Sequence, residues 1–391
     1  MFHMFHKSAQ ELNNIGATTT THEIARQPES WRELVRNFVD ERARMENFLA
    51  DFGQRTGKAV QVIFAGAGSS AHVGDIVAPY LTDHGDRTLF SFKSVPTTNI
   101  VAHPKDYLDR EQPTILVSLS RSGNSPESVA AFKLAQKLVE DVAQLVITCT
   151  PDSKLAVLAR DSEDSLVLTM PENANDESFS MTSSFSSMVL ACLLVFDNEE
   201  FSKKKGYIEN LAQLGEDLIA NEDDIEVFMP EGVKRVVYLG SSSLNGAAAE
   251  SRMKIIELTA GKLASMSENP LALRHGPKAF IDKETVVFGF LSNEPYSRQY
   301  DIDILNELRQ DEKAIKVVGV GQQQPLTFPG EEYIFPVKSE ILLPDAYLAV
   351  LDVLFGQTVA LNLAVRMNKQ PDNPDPEGSN RVVKGVTIHK Y

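Results

Sequence analysis

Glu250, Lys254 and Glu257 are spaced four and three residues apart. On a helix turning about 100° per residue, that spacing gathers two carboxylates and an ammonium within an arc of about 60°. An acid beside a cation in a dry cleft is poised to move protons. On an exposed helix the same trio would be an ordinary solvated ion pair. Here Met253, Ile255, Ile256 and Leu258 surround it, so a buried helix is expected, and buried charges are costly unless paired or used. Downstream, Leu273-Arg274-His275-Gly276-Pro277-Lys278 holds a histidine between a basic residue and a Gly-Pro turn. His275 reads either as a structural histidine or as a second acid/base group.

A different chemistry is written into residues 113–126, where an apolar run enters the turn Ser120-Arg121-Ser122-Gly123-Asn124-Ser125 and then Pro126-Glu127. Ser120, Ser122 and Ser125 each offer a hydroxyl, Gly123 allows close backbone approach, and Pro126 suits a first helical position whose free amides face the same spot. A phosphate fits such a turn. An N-cap is the plainer alternative, but it needs one hydroxyl and not three. Gly66-Ala67-Gly68-Ser69-Ser70-Ala71 follows another apolar run, which admits a dinucleotide turn. Asp83 and Asp86 precede the next strand candidate, Thr88 to Phe92, so the acidic partner of that motif is not clearly placed. If Ser69 and Ser70 converge with Ser120, Ser122 and Ser125, the pocket suits a monophosphate better than a long cofactor. Thr182 and Ser183 could meet sugar hydroxyls or cap the helix that follows.

These groups need a scaffold, and the chain of 391 residues is long enough for two domains. Val60 to Phe64, Ile115 to Leu119, Gln144 to Thr148 and Leu166 to Met170 read as strands alternating with helices, the rhythm of a parallel sheet covered on both faces. After a polar helix over 206–221 the pattern restarts. Val62 to Ser70 is echoed by Val236 to Ser243, and Ile115 to Ser120 by Val287 to Ser292, which predicts two copies of one fold. In the second copy Leu291-Ser292-Asn293-Glu294-Pro295 replaces the serine turn, and Glu294 would repel a phosphate, so one phosphate site per chain is expected. At the front, Thr20 to Glu23 has capping-box spacing, and Trp31, Leu34, Val35 and Phe38 recur at helical intervals. The expected organisation is a helical arm over 1–55, α/β domains over 56–200 and 201–370, and a tail over 371–391 whose apolar, strand-like end is tied down.

Composition narrows the partners. With 38 basic and 54 acidic residues, a net charge of −16, nucleic acid and anionic membranes are disfavoured. The apolar runs 183–196 and 342–365 read as buried helices, the first too short to span a bilayer and the second interrupted by polar residues. Two cysteines, no export signal in the first seven residues and no His-x-x-x-His pair predict a cytoplasmic protein with no metal.

Together these motifs resemble the sugar isomerase (SIS) family over nearly the whole chain. The resemblance implies tandem doubly wound parallel-sheet SIS domains, with Ser120, Arg121, Ser122 and Ser125 on a phosphate and Ser70 and Ser69 alongside. The stretch from Glu250 to Glu257 and the His-Gly-Pro turn are similar to the isomerase half of glucosamine-6-phosphate synthase. That likeness implies that Glu257 moves a proton between C1 and C2, Lys254 and Glu250 frame the sugar, and His275 opens the ring, supplied by a neighbouring subunit of a homodimer or larger assembly with shared active sites. The tail Arg-Val-Val-Lys-Gly-Val-Thr resembles the same enzyme's end and implies an imine on Lys384. Nothing before residue 20 resembles a glutamine-hydrolysing domain and residue 2 is Phe2 and not a cysteine, so no ammonia source is expected. The arm, the His-Gly-Pro-Lys turn and the terminal Lys-Gly-Val-Thr-Ile-His are instead similar to the deaminating isomerases of galactosamine 6-phosphate, formerly called tagatose-6-phosphate ketose/aldose isomerases. The implied partner is a hexosamine or hexose 6-phosphate, with no cofactor. A plain ketose/aldose isomerase, a non-catalytic sugar-phosphate sensor and an oxidoreductase are the rivals.

Overall fold

The computed structural model describes residues 3–378 and 386–391. Five short apolar runs form the first sheet: β1 Val60–Ala65, β2 Phe90–Ser94, β3 Thr114–Leu119, β4 Val142–Thr148 and β5 Ser165–Thr169. All pair in parallel in the order β2-β1-β3-β4-β5, with Val62 beside Ile115 and Ile115 beside Ala143. Every residue of β3 is buried, as a strand covered on both faces requires. Alternation sends Ile63 and Leu116 toward Ala131, Leu134 and Ala135 of helix Pro126–Leu138, whereas Phe64 meets Phe196 of helix Ser183–Phe196 edge-on at 5.5 Å.

The second sheet repeats the winding. Its strands are β6 Arg235–Leu239, β7 Ala264–Glu268, β8 Thr285–Leu291, β9 Lys316–Gln322 and β10 Glu331–Phe335, parallel in the order β7-β6-β8-β9-β10. One face packs Val237, Val287 and Leu291 on Ile302, Leu305 and Leu308 of helix Pro295–Gln310. On the other, Phe288 contacts Phe355 of helix Asp345–Arg366 at 5.3 Å. That helix is long and apolar enough to cross a membrane, yet residues 346–364 are all buried in the protein. It lies along helix Ser243–Leu258, and a Cβ at Gly356 would come within 2.6 Å of Ser251 Cβ.

Residues 30–176, 183–205 and 386–391 form one compact unit, and residues 3–29, 177–182 and 206–378 form the other. Three details differ from expectation. The helix expected to be capped at Thr20 starts earlier, at Thr18, with no side-chain cap, so Thr20 and Glu23 lie inside it; a capping box is instead made by Ser8 and Glu11 at the start of a separate helix, Ala9–Asn14. Ile256 is exposed, unlike its neighbours on the same helix. Of the expected strand-like run over 380–389, residues 380–385 lie outside the described residues, and residues 386–391 are irregular and exposed, with Lys137 Nζ donating to the Tyr391 carbonyl at 2.6 Å.

Candidate active site

In the first unit, Ser69 and Ser70 open helix Ser69–His84 directly after β1, and Ser120 to Ser125 follow β3. β1 and β3 are neighbours, and β2 lies on the far side of β1, so both turns occupy the switch point where open α/β sheets take ligands. The loop is held rigid. Ser120 Oγ accepts the Gly123 amide at 3.0 Å, and Ser122 Oγ accepts the Asn124 amide at 3.3 Å. The Arg121 carbonyl accepts the Cys149 amide at 3.2 Å and the Thr148 hydroxyl at 3.2 Å. Gly123 has φ 59°, and a Cβ there would strike Ser153.

Ser125 stands at the N-cap position of helix Pro126–Leu138, but its hydroxyl caps no amide and lies 2.6 Å from Ser128 Oγ. Capping, the plainer use of that serine, is therefore not made. Ser69, Ser70, Ser120 and Arg121 are buried, and Ser122 and Ser125 are partly exposed. β2 ends in Lys93-Ser94, and Ser94 Oγ donates to Asp75 at 2.7 Å. No carboxylate ends that strand where a dinucleotide's ribose would need one.

In the second unit the equivalent turn after β8 is filled from within. Asp301 accepts the Ser292 amide at 2.9 Å and Ser241 Oγ at 2.6 Å, and Asp345 accepts the Asn293 amide at 2.7 Å and Ser292 Oγ at 2.5 Å. Glu294 caps the following helix through the Ser297 amide at 2.8 Å. Internal carboxylates thus hold the amides of this turn. Burial pushes Asp301 up to about 6 and raises Asp345 as well.

Glu250, Lys254 and Glu257 lie on helix Ser243–Leu258, on one face as their spacing predicts. Lys254 Nζ is 3.1 Å from Glu250 Oε1 and 2.6 Å from Glu257 Oε2. Glu250 and Lys254 are fully buried, and the Glu257 side chain is 26% exposed. Glu257 is thus the member of the trio that a ligand can reach. Burial works to lower the Lys254 ammonium, but the charges of Glu250 and Glu257 outweigh it and hold the group above its ordinary value.

A fourth residue joins them. Ser180 Oγ donates to Glu257 Oε2 at 3.0 Å. Its segment, 177–182, reads in sequence as hydroxyl-rich flanking for a helix, and no local period links it to a residue 77 positions away. Thr182 and Ser183 are fully buried; the Ser183 amide is held by Asp176 at 3.0 Å and the Ser184 amide by the same carboxylate at 2.9 Å. The helix cap here is Asp176.

His275 ends the 3-10 turn Ala272–His275 and is exposed, with no hydrogen-bond partner among the described residues. Buried Leu273 anchors the turn, which is braced further by Arg274 on Glu307 at 2.7 Å and by Lys278 on Glu307 and on Asp311 at 2.6 Å. Lys384 lies outside the described residues.

A family model described as the SIS domain matches residues 57–197. The chain is 39% identical to D-galactosamine-6-phosphate deaminase AgaS of Escherichia coli over 378 residues, 96% of each chain. The chain belongs to the SIS-domain family. A second SIS relative, D-galactosamine-6-phosphate deaminase AgaS of Shewanella sp. strain ANA-3, is 36% identical over 98% of this chain and 95% of its own. Among solved SIS structures, that of tagatose-6-phosphate ketose/aldose isomerase from Escherichia coli matches with a TM-score of 0.86 at 37% identity, covering 98% of each chain.

Proposed function

We propose that this SIS protein is an enzyme that converts D-galactosamine 6-phosphate into D-tagatose 6-phosphate and ammonium. The observation that carries this is Glu257, accessible to a ligand and held between the Lys254 ammonium and the Ser180 hydroxyl, in a chain 39% identical to an AgaS deaminase over almost its full length. The serine loop of residues 56–200 takes the phosphate through Ser69, Ser70, Ser120, Arg121, Ser122 and Ser125, and residues 201–370 supply the proton chemistry. Arg121 adds a charge-assisted contact that an acidic protein needs for an anionic substrate.

The chemistry balances without an added group. His275 assists ring opening, which exposes the C1 aldehyde beside the C2 amine. Glu257 removes the C2 proton, the electron pair moves into an enolamine, and the proton returns to C1 to leave a C2 imine. Water adds to that imine, ammonium departs, and the ketone remains. Lys254 and Glu250 fix the charge of the base; on the route through Lys384, its amine in place of water adds to the C2 imine, ammonium leaves as the lysine imine forms, and water then hydrolyses that imine to the ketone and free Lys384. The exposed, braced His275 suits donation to a neighbouring subunit in a homodimer or larger assembly. Cys149 and Cys192, buried thiols, suit a reducing cytoplasm.

The relative named as a tagatose-6-phosphate ketose/aldose isomerase favours a second reading, isomerisation without loss of nitrogen. Incubation with galactosamine, glucosamine and N-acetylgalactosamine 6-phosphates, with ammonium and keto sugar assayed together, separates the two. Deamination gives both products in equal amounts from galactosamine 6-phosphate. Conversion of tagatose 6-phosphate into its aldose, galactose 6-phosphate, with no ammonium from any amine establishes the plain isomerase, and binding without turnover establishes a sensor.

A further inference from the structure

Glu23 is a carboxylate in the middle of helix Thr18–Ala25, 1% exposed, and the proton chemistry assigned above does not use it. It is not idle. It accepts the backbone amides of Glu177 and of Ser178, the latter at 3.1 Å, and the Ser178 hydroxyl; Arg26 Nη2 is 3.8 Å away. Three donors on one buried carboxylate leave its charge well satisfied and fix the backbone that supplies them. Two residues further on, the same segment delivers Ser180 Oγ to Glu257, and the Ser178 hydroxyl also lies 3.3 Å from the Ser180 carbonyl. All of these residues belong to one compact unit.

We propose that Glu23 is a positioning residue for the proton transfer: it clamps residues 177–178 so that Ser180 donates to the Glu257 oxygen that also meets Lys254. With Ser180 and Lys254 both on Oε2, the other oxygen of Glu257 is left as the one that faces the C2 proton. The inference rests on Glu257 being the base. Removing the clamp leaves the Ser180 contact to form only part of the time, which misorients the carboxylate without touching substrate binding.

The test is a double-mutant cycle joined to amide hydrogen exchange. Glu23→Gln keeps the shape but places an amide donor against the Glu177 and Ser178 amides. It is expected to lower kcat about tenfold with KM within about twofold of wild type. In a Ser180→Ala background the same change is expected to lower kcat by less than about twofold, because its route to Glu257 is already gone. Exchange at the Glu177 and Ser178 amides should accelerate in Glu23→Gln, with the β6 and β8 amides unchanged. Losses that multiply in the double variant, or unchanged exchange at 177–178, overturn the proposal. If Glu23→Gln does not fold, Ser178→Ala removes one of the three donors and is read by the same cycle. Should wild type release no ammonium, the proposed function fails, and the exchange arm still decides whether Glu23 holds the segment.

Discussion

Lys254 Nζ lies 2.6 Å from Glu257 Oε2, and the ammonium that makes this contact is itself fully buried. Glu250, also buried, is its other partner at 3.1 Å. Breaking a buried pair from one side strands a charge, at a cost of about 3–5 kcal/mol. Lys254→Met should therefore lower unfolding free energy by that order in urea titrations. A loss below about 1 kcal/mol would show that Glu250 is neutral in the folded protein and that Lys254 does not share its charge between two carboxylates. Because Lys254 is held above its ordinary value, its contribution is complete at neutral pH and is lost only as pH rises through the lysine range.

Arg121 should act on affinity and not on the chemical step. A charged hydrogen bond contributes about 1.5–3 kcal/mol, so Arg121→Met is expected to raise KM about 10- to 100-fold while kcat holds within a few-fold. Steady-state kinetics on the 6-phosphate substrate checks this. A fall in kcat with unchanged KM would place Arg121 away from the phosphate.

How far these groups were legible in the sequence depended on whether their relationships are local. The Glu250, Lys254 and Glu257 spacing is a helical period, and β3 runs directly into its serine turn, so both could be found by eye. The repeat was visible for the same reason, since each strand and its turn are contiguous. Ser180 and Glu23 were not, because their partners are 77 and about 155 residues distant. Glu23 was also mistaken for a capping residue: Thr20 and Glu23 have the same spacing inside a helix as at its start, and only tertiary contact decides which occurs. Glu294 was expected to repel an anion, whereas Asp301 and Asp345, from farther along the chain, accept the amides of that turn.

Those carboxylates carry a pH signature. Asp301 is raised by burial to about 6, so between its ordinary 3.8 and that value the folded protein binds more protons than the unfolded chain. Its contribution to stability is therefore greatest in acid and declines as pH rises across that window. Comparing urea midpoints of wild type and Asp301→Asn from pH 4 to 7 isolates the effect. The difference, wild type minus variant, should fall with pH by at most about 1.4 kcal/mol per unit. A difference that stays flat or rises contradicts the assignment.

Subunit sharing predicts complementation. Glu257→Gln and His275→Asn variants, each inactive alone, should regain ammonium release when mixed under subunit exchange, because a hybrid contains one site with both native groups. No recovery, with exchange verified by mass spectrometry, would place His275 in its own subunit's chemistry or outside it.

The central claim is that Glu257 moves the C2 proton of an amino-sugar phosphate that then loses nitrogen, and ammonium release from galactosamine 6-phosphate by wild type and Glu257→Gln tests it most directly. Wild type should yield ammonium and tagatose 6-phosphate in equal amounts, and the variant, still folded and still binding substrate, should be slower by about 10²- to 10⁴-fold. Ammonium released at the wild-type rate by Glu257→Gln would contradict the account.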